Sequence, residues 1–406
     1  MAGPLANLKV LDLSRVLAGP WAGQLLADLG AEVIKVERPG TGDDTRGWGP
    51  PYLKDRNGGN TGEAAYFLSA NRGKRSIAID ISTAAGQNIV RDLAARSDVL
   101  IENYKVGGLS RYGLDYGSLS AVNPALIYCS ITGFGQTGPY KDRAGYDFMI
   151  QAMGGLMSLT GEADDHPGGG PMKTGVAIAD LTAGMYAVIA IQAALLHRER
   201  IGRGQYIDMA LLDVQVGWLA NQNMNYLAGG AAPGRRGNAH PNIVPYQAFE
   251  TADGHIVLAV GNDRQFARFV ALAGEDALTD PRFGTNEGRV RHRELLVPLV
   301  AEVMRRQTTQ AWIADLEAER IPCGPINGLA EVFADPQIQA RGLKFELPHP
   351  LAGTVPQVKT PIEFSETALD YARPPPLLGE HTDEILEELG LSSDRIAALR
   401  SDDVVD

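Results

Sequence analysis

A single carboxylate opens the longest apolar stretch of the chain: Asp180, in Lys173-Thr174-Gly175-Val176-Ala177-Ile178-Ala179-Asp180-Leu181-Thr182-Ala183-Gly184-Met185. Asp is among the residues preferred at helix N-termini, where it accepts backbone N–H groups and offsets the positive helix end. Position alone therefore reads it as a cap. Its neighbours support a second reading. Gly175, Ala177, Ala179, Ala183 and Gly184 are small, and a carboxylate with room for a bulky ligand beside it has the surroundings of a nucleophile.

Cations recur around the ends of strand-like runs: Arg38 after the second, Lys74 and Arg75 before the third, Arg111 beyond the fourth. In open α/β sheets ligands occupy the crevice outside the strands' carboxyl ends, and several guanidinium or ammonium groups converging there would hold phosphate; each alone reads as a solvated surface residue. A third candidate is the turn Val260-Gly261-Asn262-Asp263, where backbone N–H groups at a helix start could face an anion. It follows Gly237-Asn238-Ala239-His240-Pro241-Asn242-Ile243-Val244-Pro245-Tyr246, a segment too apolar for a linker. The other histidines, His197 and His292 among them, lack metal-ligand spacing, so no metal is predicted. A strand, a helix and a strand ending at Glu37 imitate a dinucleotide site. The connecting Ser14-Arg15-Val16-Leu17-Ala18-Gly19-Pro20 contains no G-x-G-x-x-G, and no nucleotide cofactor is expected.

The elements that must position these groups alternate. β-rich runs at 8–13, 32–36, 76–81, 98–102 and 126–131 are separated by helical patterns such as 21–29 and 84–95. Strand, helix, strand at this spacing predicts an α/β fold with a Rossmann-like parallel sheet. A long helix over about 181–197 and a strand at 205–209 follow. We expect a large domain beginning at 1–204, a linker helix and loop at 205–236, a smaller α/β domain at 237–330, and a return linker with the C-terminal part of the large domain at 331–406. In the small domain a strand at 255–260 precedes helices near 263–272, 291–306 and 310–319, and an acidic helix at 382–389 is stopped by Gly390.

Composition narrows the function classes. Among 406 residues, 44% are hydrophobic and 21% charged, enough apolar material for a large core. Lys and Arg number 37 against 49 Asp and Glu, a net charge of −12 that disfavours nucleic acid as a partner. The apolar run at about 183–196 contains Gln192 and is shorter than the ~18–20 residues of a membrane span. No membrane partner is expected. The first residues lack the basic head and apolar middle of an export signal, and two isolated cysteines, Cys129 and Cys323, give neither a disulfide framework nor a zinc ribbon. A cytoplasmic location fits best.

Several long segments resemble one family. They are Asp12-Leu13-Ser14-Arg15-Val16-Leu17-Ala18-Gly19-Pro20, Val33-Ile34-Lys35-Val36-Glu37-Arg38-Pro39, Asn71-Arg72-Gly73-Lys74-Arg75-Ser76, Ile101-Glu102-Asn103-Tyr104, Thr132-Gly133-Phe134-Gly135-Gln136-Thr137-Gly138-Pro139, Asp180 in its setting, and Leu377-Leu378-Gly379-Glu380-His381-Thr382. Together they resemble, nearly end to end, the class III CoA-transferases, the formyl-CoA and crotonobetainyl-CoA transferase type, whose other branch is the 2-methylacyl-CoA racemases. The resemblance implies an interlocked homodimer, each subunit a ring of large domain, small domain and two linkers. It implies coenzyme A, as acyl-CoA co-substrate, as the ligand. Val16 and Ile79 would form an apolar CoA wall, Arg38 and Arg111 would meet the adenine and phosphates, and Asn103 and Tyr104 would make further CoA contacts. Asp180 would be the nucleophile, with Trp48, Tyr146, His240, Gly261 and Asn262 on the substrate side. Formyl-CoA transferases carry a longer glycine run where only Gly261 stands here.

The mechanism so implied passes through an acyl-aspartyl anhydride and an aspartyl-CoA thioester, without ATP. Racemisation is the rival enzyme reading. It requires bases on both faces of the carbon beside the thioester, and the racemases' Gly-His-Asp motif matches Ala144-Gly145-Tyr146-Asp147-Phe148 here. Tyr146, with an ordinary pKa of about 10, is a poor base. A non-catalytic CoA-binding protein would have lost the nucleophile, and Asp180 is present. Residues 237–246 with Val260-Gly261-Asn262 resemble members that move CoA from succinyl-CoA to glutarate or a similar dicarboxylate. Arg46, Lys173, Arg235 and His240 are the candidates for the second carboxylate.

Overall fold

The computed structural model describes residues 2–406. The chain divides into two compact units, one of Met1–Leu156, Thr174–Asn223 and Ala340–Asp406, the other of Met157–Lys173 and Met224–Gln339. The division departs from the expected boundaries: the expected linker 205–236 is split after 223, and 331–339, expected in the return linker, belong to the second unit. Residues 205–223 belong to the first unit because their strand-period run completes its sheet, and 157–173 belong to the second.

In the first unit, β1 (Lys9–Asp12), β2 (Glu32–Glu37), β3 (Lys74–Ala78), β4 (Val99–Glu102), β5 (Ile127–Thr132) and β6 (Tyr206–Ala210) form one all-parallel sheet. The spatial order is β3-β2-β1-β4-β5-β6. That is the doubly wound order, and its reversal between β1 and β4 opens a crevice at the carboxyl ends of the strands. Strands covered on both faces must be apolar along their length, and Val10, Leu11, Val33, Ile77, Leu100, Ile101 and Ile127 are all buried.

Helices α1 (Ala18–Asp28), α2 (Ala84–Ala95), α3 (Asp147–Met153) and α4 (Ile178–Ile201) cover the sheet. Ala18, Ala22 and Leu26 of α1 share one core with Ala183, Ala187 and Ile191 of α4. The two helices approach closely because Gly184 has no side chain; a Cβ there would stand 2.6 Å from the Ala18 carbonyl oxygen. The opposite face holds Ile89, Val90 and Leu93 of α2 with Ile385, Leu386 and Leu399 from the last helices, Thr382–Glu388 and Ser393–Ser401. At 24 residues α4 is longer than the sequence pattern predicts, and by length and composition it could cross a membrane. Half of its apolar window is buried against the sheet and α1, as in the core helix of a globular domain.

The second unit is a smaller α/β body. Tyr246–Glu250, His255–Ala259 and Cys323–Pro325 form an antiparallel sheet with His255–Ala259 in the centre. The helices Asp263–Ala273, Arg293–Met304 and Thr309–Ala318 share its core through Phe269, Val300, Trp312 and Leu316. The Trp312 indole N–H, which cannot be buried unpaired at low cost, donates to the Met304 carbonyl at 2.7 Å.

Candidate active site

The crevice at the switch point holds two adjoining cavities. The wider, about 580 Å³, is bordered by residues that follow β2, β3 and β4, among them Arg38, Ile79, Tyr104 and Arg111. Arg38 and Arg111 stand exposed at its rim, the Arg111 guanidinium 4.5 Å above the Tyr112 ring. The narrower, about 180 Å³, runs past Val16, Asn103, Tyr104 and Tyr146 to Asp180. Arg15, Asp44 and Tyr104 border both, so one extended ligand can lie through the two. Six of the residues singled out in the sequence as CoA contacts thus line one groove in the first unit.

The wall between β1 and α1 is held by buried charge. Lys35 lies 2.9 Å from Asp43 and donates to the Ser14 carbonyl at 2.9 Å; Lys74 lies 2.9 Å from Asp12 and also donates to Pro20 and Asn71. Asp43 in turn accepts the Val16 N–H, and the Asn103 amide brackets Arg15 by accepting its N–H at 2.9 Å and donating to its carbonyl at 2.7 Å. These anchors hold Val16 at φ 71°, a left-handed conformation costly for a β-branched residue. The energetic expense of the strained turn is met by the network below it.

Lys74 and Arg75, expected among the phosphate cations, are not available for that role. Lys74 is committed to Asp12, and Arg75 to Glu32, Glu384 and Glu388, all inside the first unit. Arg46, expected as a partner for a second carboxylate, is likewise consumed: it pairs with Glu37 at 2.7 Å and lies 3.6 Å over the Phe67 ring.

Asp180 is not the cap of its helix. The α4 N-cap is Ala177, which offers no side-chain acceptor, and Asp180 stands in the first turn. The cap comes from outside: Asp147 Oδ1, at the start of α3, accepts the Ala179 N–H at 2.8 Å and the Asp180 N–H at 3.3 Å. Gln151, one turn along α3, donates to Asp147 Oδ2 at 2.6 Å and accepts the Thr174 N–H at 3.0 Å. Burial pushes the Asp180 carboxyl up, and the neighbouring Asp147 charge adds to it, to about 7. Trp48 meets the Tyr66 ring edge-on at 5.0 Å between centroids and is not among the residues that line the two cavities. A carboxylate of raised basicity on a cavity wall can act as nucleophile or as base.

The remaining sequence candidates lie in the second unit. Asn262 caps the helix Asp263–Ala273, its Oδ1 accepting the Gln265 N–H at 2.9 Å. The Gly261 N–H, expected to face an anion, is taken by Gln265 Oε1 at 2.8 Å, so the turn closes on itself as a capping box does. His240 packs on Tyr246 and accepts the Asn242 N–H at 3.1 Å; burial, then Arg293, lowers its pKa. Arg235 is paired with Asp164 and the Glu162 carbonyl, which removes it from the set of candidate carboxylate partners. Lys173 ends the 157–173 segment of the same unit. Sequence reasoning missed Asp147 and the cavity cations Lys105, Lys141 and Arg143. Asp147 was weighed only within the racemase-like Gly145-Tyr146-Asp147, because a cap supplied from another element leaves no local pattern.

A doubly wound sheet without a phosphate-binding glycine loop, joined to a cavity ending at a basic carboxylate, suits a transferase acting on an extended thioester. The chain belongs to CoA-transferase family III, whose sequence profile matches residues 5–382, and is a CoA-transferase acting on acyl-CoA and carboxylic acid substrates. It is 54% identical over 387 residues, 95% of this chain and 96% of the relative, to succinate–glutarate CoA-transferase of Agrobacterium fabrum. Human succinyl-CoA:glutarate CoA-transferase is 46% identical over 405 residues, 99% of this chain and 90% of the relative. The crystal structure of a CaiB/BaiF family protein from Brucella suis superposes with a TM-score of 0.84 at 54% identity, covering 96% of this chain and 100% of that one.

Proposed function

We propose that this chain moves CoA from succinyl-CoA to glutarate with Asp180 as the nucleophile. The observation that carries the reading is Asp180 itself: a carboxylate raised to about 7 by burial and by Asp147, lining a groove at the switch point of the sheet. The activities named for the Agrobacterium and human relatives supply the donor and acceptor.

The CoA portion of the donor lies along Val16, Ile79 and Tyr104 with its phosphates toward Arg38 and Arg111. Asp180 attacks the succinyl thioester carbonyl; the C–S bond breaks and leaves a succinyl-aspartyl anhydride and CoA thiolate. The thiolate attacks the aspartyl carbonyl, releases succinate and forms an aspartyl-CoA thioester. Glutarate attacks that thioester, giving a glutaryl-aspartyl anhydride and thiolate again. Thiolate attack on the glutaryl carbonyl then yields glutaryl-CoA and restores the Asp180 carboxylate. Overall one thioester is exchanged for another, so no external energy source is required and the protein's tasks are orientation and exclusion of water. The same reading includes a homodimer and a cytoplasmic setting. Support for the first is the exposed apolar face of α4, with Met185, Tyr186, Ile189 and Leu196, and for the second the two free cysteines, Cys129 and Cys323.

Turnover with carboxyl-¹⁸O glutarate tests the mechanism, because cleavage of the glutaryl-aspartyl anhydride at the glutaryl carbonyl leaves one glutarate oxygen on Asp180. Heavy oxygen should appear in the peptide containing Asp180 and in no other. Unlabelled peptide after many turnovers would remove the covalent role.

A further inference from the structure

The long helix that carries Asp180 is capped by a residue of another element, and that residue is charged. Ala177 at the N-cap provides no acceptor, so Asp147 reaches across from α3 to take the first free N–H groups, including that of Asp180 itself. Asp147 is in turn fixed: Gln151 holds its second oxygen at 2.6 Å, and Gln151 is tied to Thr174 in the segment leading into α4. A neutral cap would satisfy the N–H groups equally well. A carboxylate does something more, since it sets a negative charge against the positive helix end that would otherwise stabilise the Asp180 anion.

We propose that Asp147 is a positioning residue for Asp180, fixing the first turn of α4 by occupying its free N–H groups and setting a like charge beside the Asp180 carboxylate. The inference rests on the reading of Asp180 as nucleophile. Stabilising the anion through free backbone N–H groups would make it a weaker nucleophile, and the Asp147 carboxylate prevents that by occupying those donors. Burial and the Asp147 charge both raise the Asp180 pKa, in agreement with this arrangement.

The other groups around Asp180 are accounted for. Tyr66, on the short helix Ala65–Leu68, is neutral and itself shifted upward, by burial first and then by Asp180. Across the cavity Arg15 is paired with Asp44 at 3.0 Å, while Lys105, Lys141, Asp142 and Arg143 stand on its exposed rim with Tyr146. Of the elements packed on α4, α1 carries only Asp28, which is bound to Arg72, and β5 carries Tyr128 and Cys129, both raised by burial. The strand β6 carries Tyr206 and Asp208, the latter accepting the Gln136 N–H, and Leu211–Gly217 carries Asp213. One further group titrates in the same range: burial raises Glu102 to about 7, where Ser130 and the Tyr104 N–H hold it.

The test is the pH dependence of kcat/KM for succinyl-CoA and glutarate in Asp147→Asn, which keeps an oxygen for the Ala179 N–H and loses the charge. Activity requires the Asp180 anion, so the acid limb lies near the Asp180 pKa; removing a like charge lowers that pKa. The limb should move to lower pH by about one unit or more, with the plateau kcat reduced several-fold by the weaker nucleophile. Glu102→Gln in both backgrounds shows which limb belongs to Asp180. Asp147→Glu, which restores charge and acceptor, should return the limb toward its original position. A uniform loss at every pH with the limb unmoved, or an Asp147→Asn enzyme indistinguishable from the parent, would overturn the proposal. Should Asp180→Asn itself remain active, the nucleophile reading fails instead, a result distinct from an inactive Asp180→Asn beside an unshifted Asp147→Asn.

Discussion

Asp12 and Asp180 both border the carboxyl edge of the parallel sheet, and they differ in company. Asp12 ends β1 with no exposed surface, 2.9 Å from Lys74 and hydrogen-bonded to Ser14. Burial pushes its pKa up, but Lys74 and Lys35 outweigh burial and hold it below the ordinary range. Asp180 is less deeply buried, yet burial and Asp147 act in the same direction and carry it to about 7. Burial alone therefore does not set the basicity of a carboxylate. At these two carboxylates the sign of the nearest charge decides the direction, because Lys74 and Lys35 favour the Asp12 anion while Asp147 adds to burial at Asp180.

Three experiments would break or sharpen this contrast. The largest effect is expected at the reactive end: Asp180→Asn, unable to form an anhydride, should fold, bind CoA and lose transfer by roughly 10⁴-fold or more, measured as product formed per enzyme. Retention of near-normal turnover would erase the distinction drawn here. At the structural end, Lys74→Met leaves Asp12 buried without its nearest cation and should cost about 3–5 kcal/mol in urea unfolding at neutral pH. A cost under about 1 kcal/mol would mean that the pair does not hold the wall of the groove.

The smallest effect concerns Asp43 in the same network. Burial raises its pKa, but Lys35 and the Thr45 hydrogen bonds outweigh it and hold the carboxyl at about 2, against 3.8 ordinarily. A depressed carboxylate stabilises the fold above the unfolded pKa, so Asp43 should contribute about 2 kcal/mol at pH 5 and above, lost as the pH falls from about 4 toward 2. Acid unfolding of Asp43→Asn should lack that component. An unchanged acid profile would show that the Lys35–Asp43 pair does not govern stability in this window.

Much of the scaffold was legible in the chain. Short β-rich runs gave the parallel strands within one to three residues, because strands covered on both faces are apolar along their length, and α2 occupies 84–95 as expected from the repeat of its apolar face. The long apolar pattern at 181–197 identified α4, though its start lies three residues earlier. That difference is physical: a helix begins where its first N–H groups find acceptors, and the acceptor is Asp147, more than thirty residues away in sequence. Asp180 was legible as a candidate because its own neighbours are small and apolar. Its release from capping was not.

What the sequence determined by itself is the set of elements, their alternation and the carboxylate that opens α4. Tertiary structure decided which charges remain free. Lys74, Arg75, Arg46 and Arg235 are cations like Arg38 and Arg111, and nothing local distinguishes them. Only folding brings Asp12, Glu388, Glu37 and Asp164 to the first four, while Arg38 and Arg111 stay at the rim of the groove. Ion pairing depends on separations of a few ångströms between residues distant in the chain, a quantity that periodicity and propensity do not carry.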